Sequence, residues 1–374
     1  MIYLDHNATT PILEEAKNAM IEILQRPLNA SAVHFFGREG KKIVEHARKR
    51  IFKSVGVVNI RDYQLIFTSS GTEANNLLFS NFKDADIFIS ATEHVSILGH
   101  LHFASNIHTI AVDKNGILDK QDLIQKLTNS SASKKLVSVI FANNETGVIQ
   151  DIKEITDIAH SFGAIMHSDS VQAFGKIELD MVFFDVDFIT ISAHKIGGGV
   201  GAAALIGKTK YHLQPHIIGG GQERGVRSGT ENIAAISSFG KASEIATSNI
   251  KTNYQKLQNL QRYFEHNLKE TFPTIKIVGE LVDRLPNTSL IISDDKNKKA
   301  ETQIIALDLN GIAVSSGAAC SSGKIGVSAT LAAMGFNDDE KASAIRISTG
   351  FSNSKEDIDY FLKIYKQINS ELNN

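Results

Sequence analysis

Short apolar runs alternate with amphipathic stretches between about residues 60 and 210. The runs have the length and the β-branched and aromatic content of strands, and they cover 64–68, 87–90, 136–142, 164–168, 187–192 and 202–206. Helical spacing appears between them: 73–82 follows a Ser-Ser-Gly-Thr turn, and 152–162 keeps its apolar residues on one stripe. This alternation predicts an α/β fold, in which a mostly parallel central sheet is flanked by helices.

From about residue 240 the pattern changes to a long helical stretch that runs to Phe272 and is stopped by Pro273. Strand-like runs follow at 276–278, 289–292, 304–307 and 345–348, and a last helical pattern covers 355–372. We therefore predict a large domain over 13–254 and a smaller α+β domain formed by 1–12 and 255–374. A chain of 374 residues can bury a core in each.

Composition narrows the class of protein. The chain carries 39 Lys and Arg against 41 Asp and Glu, which favours neither nucleic acid nor an anionic membrane as a partner. No apolar stretch has the length of a membrane span, and the start of the chain lacks the pattern of an export signal. One cysteine excludes an internal disulfide, and this indicates a reducing, cytoplasmic location. The 13 His lack ligand spacing, so we predict no metal site.

Two predicted strands end in residues suited to a cofactor. Ser192-Ala193-His194-Lys195 closes the strand 187–192, where a lysine faces the crevice in which α/β sheets bind ligands and can form a Schiff base. Asp169 follows the strand 164–168 at the same edge, where a fixed carboxylate can keep the nitrogen of a pyridine-type ring protonated. Taken singly, each residue has an equally good explanation without a cofactor: Lys195 as a solvated side chain and Asp169 as the cap of a helix.

Two further segments carry chemistry. Ser69-Ser70-Gly71-Thr72-Glu73 opens a predicted helix, so its N–H groups and hydroxyls can hold a phosphate or simply cap the helix. It lacks the lysine and the spacing of a nucleotide-binding P-loop. The one cysteine, Cys320, lies among Ser, Gly and Ala residues between 315 and 323. Such a segment favours an accessible thiol over an inert buried one.

In combination, these segments resemble the cysteine desulfurases of the NifS/IscS kind, within the class V aminotransferase family of pyridoxal-phosphate (PLP) fold type I. Similar motifs run along nearly the whole chain, at 3–5, 8–11, 70–73, 92–94, 143–147, 169–172, 192–195, 219–230, 315–323 and 345–350. The segment around Cys320 is similar to that of the group with a long cysteine loop.

The resemblance implies pyridoxal 5'-phosphate as cofactor and a role for each matching residue. Lys195 would form the internal aldimine and move protons, Asp169 would pair with the ring nitrogen, and His94 would lie over the ring. Gln172 would contact the ring hydroxyl, and the phosphate would be held by Gly71, Thr72, Ser192 and His194. Thr230 would reach the phosphate of the neighbouring subunit in a homodimer. Asn144 would contact cofactor and substrate, and Arg346 would bind the substrate carboxylate.

The implied reaction converts L-cysteine to L-alanine and leaves the sulfur as a persulfide on Cys320. A protein acceptor such as an iron–sulfur scaffold would receive it, for cluster assembly, tRNA thiolation or sulfuration of other cofactors. Cys320 would be at most a transient ligand of a partner's cluster. The alternatives are transamination or selenocysteine cleavage on the same fold, and a sulfur-relay protein without catalysis. Cys320 argues against a transaminase, and intact Lys195 and Asp169 argue against a relay protein.

One departure from the family pattern follows Lys195. The turn Gly197-Gly198-Gly199 lacks the Pro and Lys that relatives usually show there, and Ala203 stands where Gly is usual. Because glycine loosens a loop, we expect cofactor retention to be the first property to differ.

Overall fold

The computed structural model of the chain describes residues 1–293, 298–317 and 328–371. Its strands are β1 (Ile2–Tyr3), β2 (Tyr63–Thr68), β3 (Asp86–Ser90), β4 (Ile107–Ile110), β5 (Lys135–Ser138), β6 (Ile165–Asp169), β7 (Phe188–Ser192), β8 (Ala203–Lys208), β9 (Lys276–Ile277), β10 (Thr288–Ile292), β11 (Ile312–Ala313), β12 (Ser315–Ser316) and β13 (Ala344–Ser348). Its α-helices are α1 (Glu14–Leu24), α2 (Phe35–Ser54), α3 (Gly71–Asn81), α4 (Val95–Leu98), α5 (Lys120–Asn129), α6 (Ile152–Ser161), α7 (Ile233–Ser248), α8 (Ile250–Thr271), α9 (Ala300–Leu309), α10 (Ala329–Ala333), α11 (Asp338–Ser343) and α12 (Lys355–Glu371).

The central sheet confirms the predicted α/β fold. Its order is β2-β8-β7-β6-β5-β3-β4, and the neighbours from β7 to β4 are parallel. Strand β8 is antiparallel to both β2 and β7, so one edge of the sheet departs from the parallel pattern. Because β6 and β7 run in the same direction, Asp169 and Ser192 at their carboxyl ends reach the same edge. That edge is where open α/β sheets bind ligands.

Helices cover the sheet because their apolar stripes need a surface to bury. Helix α3 begins after Ser70, whose side chain accepts a hydrogen bond from the Glu73 N–H, and Asp151 caps α6 in the same way. Helix α7 packs against α1 and α2. At Gly240 a Cβ would lie 2.7 Å from the Cα of Ala47, so glycine allows α7 to approach α2 closely.

The second layer of the chain is an antiparallel sheet of order β12-β13-β10-β9, covered by α8, α9 and α12. It has a core of its own, centred on residues such as Phe264, Ile345 and Phe361. The first residues of the chain belong to this layer: β1 pairs in parallel with β11 in a two-stranded sheet of its own, and Leu4 and Ile312 are part of the same core. Helix α8 crosses the predicted domain boundary between 254 and 255, and the boundary itself stays a prediction.

The predicted strand at 304–307 is wrong, because these residues lie within helix α9. Ala300, Gln303 and Leu307 are buried one helical turn apart, whereas Ile305 and Leu309 are exposed. A run of four apolar residues fits both the helical and the strand period, so it does not by itself distinguish a helix from a strand. The long helical pattern before Pro273 is divided into two helices, α7 and α8. None of the described helices has the length and hydropathy needed to cross a membrane.

A buried ion cluster secures the start of β7. The Asp187 side chain has no exposed surface, and its Oδ2 lies 2.8 Å from His160 Nε2 and 2.9 Å from the Met166 amide nitrogen. Lys208 Nζ lies 3.1 Å from Oδ1. Burial acts to raise the pKa of Asp187, but the hydrogen bonds from His160 and Met166 and the charge of Lys208 outweigh it and hold the pKa at about 2.

We predict that Asp187→Asn lowers the free energy of unfolding by about 2 kcal/mol, because Lys208 loses the buried anion beside it and the contact with His160 is weakened. The wild-type contribution is complete above the ordinary carboxyl pKa of 3.8 and is lost as pH falls from there to about 2. Urea unfolding followed by circular dichroism measures both effects. The control is Asp185→Asn, since Asp185 also contacts Lys208 but is 55% exposed, and it should cost less than about 1 kcal/mol. Equal losses in the two variants would contradict this assignment.

Candidate active site

A cavity of about 290 Å³ lies where β6 and β7 end, beside the N-terminus of α3 and the segment that precedes α1. Most of the residues that the sequence singled out line it: Gly71, Thr72, His94, Asn144, Asp169, Gln172, Ser192, His194, Lys195 and Arg346. They come from six separate stretches of sequence, so only the fold brings them together.

Two predicted site residues are not among those around this cavity. Thr230 lines a different concavity, together with Thr68, Ser69 and Glu231. Cys320 lies outside the described residues. The roles given to both stay predictions.

Lys195 is held by the segment before α1. Its Nζ donates to the carbonyl oxygens of Asn7 and Ala8, each at 2.6 Å. The Asn7 carbonyl also accepts from Gln172 Nε2 at 2.9 Å. A second amine, Lys176 Nζ, donates to Asn7 Oδ1 at 2.8 Å and to Gln172 Oε1 at 2.6 Å. Burial, with the charges of Lys195 and Arg346, lowers the pKa of Lys176 well below its usual value, which favours a neutral amine at this position.

Asp169 presents a fixed carboxylate to the cavity. It is 3% exposed, its Oδ1 accepts from the Val171 N–H at 3.1 Å, and its Oδ2 accepts from Asn75 Nδ2 at 2.8 Å. The nearby Glu93 is fully buried, and burial followed by the charge of Asp169 raises the pKa of Glu93 well above its usual value. This shift favours the neutral form of Glu93 beside Asp169.

Neutral imidazoles line much of the remaining wall. Burial first, and then the charge of Lys195, lowers the pKa of His94, although Asp169 acts in the opposite direction. Burial, Lys195 and Lys176 lower the pKa of His194 to about 4. Both rings are thus uncharged near neutral pH, and they can donate or accept single hydrogen bonds without adding charge.

A cradle for an anion lies at the start of α3. Ser70, Gly71 and Thr72 line the cavity there, facing Ser192 and His194. The first N–H groups of a helix of eleven residues carry a partial positive charge. Glu73 turns away from the cradle and pairs with Arg227, whose Nε lies 2.8 Å from Glu73 Oε1. Because the Ser70 hydroxyl caps the Glu73 N–H, the cradle offers a ligand the N–H groups of Gly71 and Thr72 and the Thr72 hydroxyl.

Arg346 occupies the opposite side of the cavity and is 2% exposed. Its guanidinium donates to Asp5 Oδ1 at 2.6 Å and to the Asn144 carbonyl oxygen at 2.8 Å. The Nε of Arg346 has no hydrogen-bond partner within the described ranges. A buried guanidinium with donor capacity left over is suited to a carboxylate ligand.

Glu145 lies beside Gly317 and Ser328, the two described residues that flank residues 318–327. Its Oε2 accepts from the Ser328 hydroxyl at 2.5 Å, and a Cβ on Gly317 would lie 3.1 Å from the same oxygen. Burial raises the pKa of Glu145 to about 7, although Ser328, Arg346 and Thr330 act to lower it. Asn144, the preceding residue, lines the cavity.

Several residues were not singled out from the sequence: Asn7, Asn75 and Ser96 line the cavity, and Lys176 and Glu145 lie next to residues that line it. Asn7, Asn75 and Lys176 each make a hydrogen bond to a residue far away along the chain. No local pattern indicates such contacts. A buried Lys or Asn has the same sequence context as an exposed one, so only the tertiary structure distinguishes them. Within the described part of the chain, no group of three or more His, Cys, Asp or Glu could hold a metal ion.

Comparisons with known proteins agree with this arrangement. The profile of the Aminotransferase class-V family matches residues 2–361. The chain is 35% identical to the cysteine desulfurase IscS of Dictyoglomus turgidum, over 99% of this chain and 95% of that protein. It is 34% identical to the cysteine desulfurase IscS of Clostridium botulinum, over 98% and 94%. The crystal structure of a NifS-like protein from Rickettsia africae is 46% identical, with a TM-score of 0.94 and 99% of each chain covered.

We predict that Glu145→Gln changes how stability depends on pH. Between pH 4.5 and about 7 the folded chain keeps the Glu145 proton while the unfolded chain loses it, so the free energy of unfolding falls as pH rises through this range and is constant above it. Glutamine does not ionise, so the free energy of unfolding of the variant, relative to that of the wild type, should increase by up to about 3 kcal/mol over this range.

Chemical denaturation at pH 5 and pH 8 measures the difference between variant and wild type. The control is Glu154→Gln, since Glu154 is a half-exposed residue of α6, and its difference should be nearly the same at both pH values. A Glu145→Gln difference that does not grow with pH would refute the assignment.

Proposed function

This chain belongs to the aminotransferase class-V family, and we propose that it is a PLP-dependent cysteine desulfurase that converts L-cysteine to L-alanine and takes the sulfur as a persulfide on Cys320. The observation that carries the proposal is the meeting of Lys195, Asp169, His94 and an anion cradle in one cavity. Similarity to cysteine desulfurases over nearly the full length of the chain supports it.

The residues of the cavity fit pyridoxal 5'-phosphate. An amine, a carboxylate and the free start of α3 face a common space, which matches the aldehyde, the ring nitrogen and the phosphate of this molecule. When bound, the cofactor supplies an aldehyde for a lysine and an electron sink for the substrate. Thr72, Ser192 and His194 would hold the phosphate, Gln172 would meet the ring hydroxyl, and Asp169 would keep the ring nitrogen protonated.

Lys195 is oriented by the backbone of the segment before α1. The carbonyls of Asn7 and Ala8 accept from its Nζ, which fixes the direction in which the amine enters the cavity. We infer that this orientation presents the amine to the aldehyde of the cofactor and later lets it return protons to the substrate.

The substrate carboxylate would bind at Arg346 and Asn144. The Arg346 side chain enters from β13 and the Asn144 side chain from the opposite domain, so a bound carboxylate would bridge the two layers of the chain. Asp5 offsets one positive charge and fixes the plane of the guanidinium. Planar, pre-oriented donors recognise a carboxylate better than a mobile ammonium does.

The thiolate of Cys320 would attack the sulfur of the bound cysteine, so that an S–S bond forms as the carbon–sulfur bond breaks, and alanine leaves. The described residues that flank this part of the chain, Gly317 and Ser328, both lie beside Glu145, next in sequence to Asn144 of the cavity. This position supports delivery of Cys320 to the substrate. We propose that the chain acts in the cytoplasm and passes the sulfur to a protein acceptor, such as an iron–sulfur scaffold.

A homodimer would complete the site through Thr230. This residue lines a concavity that is separate from the cavity containing the anion cradle of its own subunit. Apolar residues are exposed on neighbouring segments: Val33 is 90% exposed, Phe35 57% and Ile218 89%. Gln222 donates to Ser31, which joins these segments into one region. An exposed apolar region of this kind favours association with a second subunit.

The proposal is tested by incubation with L-cysteine while sulfide, alanine and the mass of the Cys320 peptide are measured. We expect wild type to form alanine and a sulfur adduct on Cys320. Cys320→Ala should keep the visible absorbance of the bound cofactor but release no sulfide, and Lys195→Ala should lose that absorbance. Normal sulfide release by Cys320→Ala would defeat the proposed chemistry, and keto-acid formation from alanine would indicate a transaminase instead.

We also predict that Arg346→Lys raises the KM for cysteine by on the order of tenfold or more, with a smaller change in kcat, because one charged hydrogen bond of a planar pair is lost. Steady-state kinetics measures this. The control is Arg284→Lys, which removes a guanidinium that is 8% exposed and pairs with Glu265 away from the cavity. It should lower stability and leave KM unchanged; an unchanged KM in Arg346→Lys would place the substrate carboxylate elsewhere.

A further inference from the structure

Two buried side chains, Asn75 of α3 and Ser96 of α4, lie between Asp169 and His94. Asn75 Nδ2 is 2.8 Å from Asp169 Oδ2 and 2.9 Å from Ser96 Oγ. Ser96 Oγ is in turn 2.8 Å from His94 Nδ1. The four residues therefore form a continuous chain of hydrogen bonds from the carboxylate at one wall of the cavity to the imidazole at another.

The chemistry of the donors sets the direction of this chain. Both oxygens of the Asp169 carboxylate face N–H donors, so the Asn75 atom that meets Oδ2 is the amide nitrogen. The same NH₂ group donates its other hydrogen to Ser96 Oγ. Asn75 Oδ1 has no hydrogen-bond partner among the described residues, yet turning the amide round would place this oxygen against a carboxylate. The orientation is thus fixed by charge.

His94 Nδ1 receives two donors. The Ser96 hydroxyl already accepts from Asn75, which leaves its own proton for Nδ1. The backbone N–H of Ser96 also points to Nδ1, at 3.2 Å, and a backbone N–H can only donate. A ring nitrogen that accepts carries no proton, so the proton of the neutral ring must be on the other nitrogen.

We propose that Asn75 and Ser96 are positioning residues that hold His94 as the tautomer protonated on Nε2. His94 then offers the cavity a hydrogen-bond donor and no basic nitrogen, since its lone pair is engaged by Ser96. The inference deepens the proposed function, because it specifies how His94 meets the bound ring and substrate. It concerns the protein alone, however, and it can be tested without turnover.

The surroundings of His94 support a neutral ring with a fixed tautomer. Burial and the positive charge of Lys195 disfavour the doubly protonated ring, and they outweigh the opposing charge of Asp169. Since a single amide serves both Asp169 and Ser96, a change at Asn75 should alter the carboxylate and the imidazole together. A change at Ser96 should alter only the imidazole.

The tautomer is measured directly by solid-state ¹⁵N NMR of the full-length holoenzyme labelled in histidine. The chain has 13 His, so the signals of His94 are identified as those lost in His94→Gln. We expect a protonated Nε2 and an unprotonated, hydrogen-bonded Nδ1. A proton on Nδ1 would overturn the proposal. Because this readout does not depend on cysteine, a wild-type enzyme that fails to desulfurate would count against the proposed function and leave this result standing.

Three variants test the chain of contacts. Ser96→Ala should shift the Nδ1 signal of His94 toward a weaker hydrogen bond and leave the affinity for pyridoxal 5'-phosphate within about twofold of wild type. Asn75→Leu, which keeps the side-chain size, should shift the same signal and also weaken cofactor binding by on the order of tenfold, since Asp169 loses a charged hydrogen bond.

The matched control is Ser90→Ala, which removes an equally buried hydroxyl that contacts Thr92 and takes no part in the chain. It should leave both the His94 signals and the cofactor affinity unchanged. An unchanged Nδ1 signal in Ser96→Ala would overturn the role of Ser96, and this single variant decides the matter if Asn75→Leu does not fold.

Discussion

The arrangement of the cavity depends on one buried residue, Asn7, in which each side-chain polar atom is engaged. Its Nδ2 donates to Thr288, its Oδ1 accepts from Lys176 and Asn287, and its carbonyl accepts from Lys195. A buried amide with unpaired atoms costs free energy, so these partners must stay in register. The segment before α1 therefore joins the layer that carries Arg346 to the layer that carries Lys195, and it sets the distance between them.

Around this junction, burial decides which groups carry charge. It favours neutral forms, so Glu93, His94, His194 and Lys176 are held uncharged. Charges persist where partners compensate them, as at Arg346, which pairs with Asp5. A ligand that brings a phosphate and a carboxylate would thus meet a few fixed charges in a setting of neutral donors, where each electrostatic contact is stronger than in water.

The sequence predicted those features that depend on local order. The ends of two strands place Asp169 and Ser192 at one edge of the sheet, and the turn before α3 carries its own cap. Both features depend on neighbouring residues, so the sequence alone predicts them. The strand at 304–307 failed because four apolar residues fit either period, and strand β4 was missed because His108 and Thr109 interrupt its apolar run. Asn7 and Asn75 were missed because their roles depend on partners more than 90 residues away. Periodicity carries no information about such contacts.

If the chain forms the homodimer that we propose, cofactor binding and subunit assembly should stabilise each other through the segment that carries Thr230. Arg227 of this segment pairs with Glu73 at the start of α3, and Glu223 accepts from buried Arg48 and from the Phe67 amide of β2. The segment is thereby fixed to the anion cradle of its own subunit. Suppose that Thr230 reaches the phosphate of the neighbouring subunit, as we propose. A phosphate bound in one cradle would then hold this segment in place, and the ion pairs of the segment would stabilise the start of α3 in the other cradle. A ligand that binds only the assembled form shifts the equilibrium toward it, so assembly should become tighter as the cradles fill.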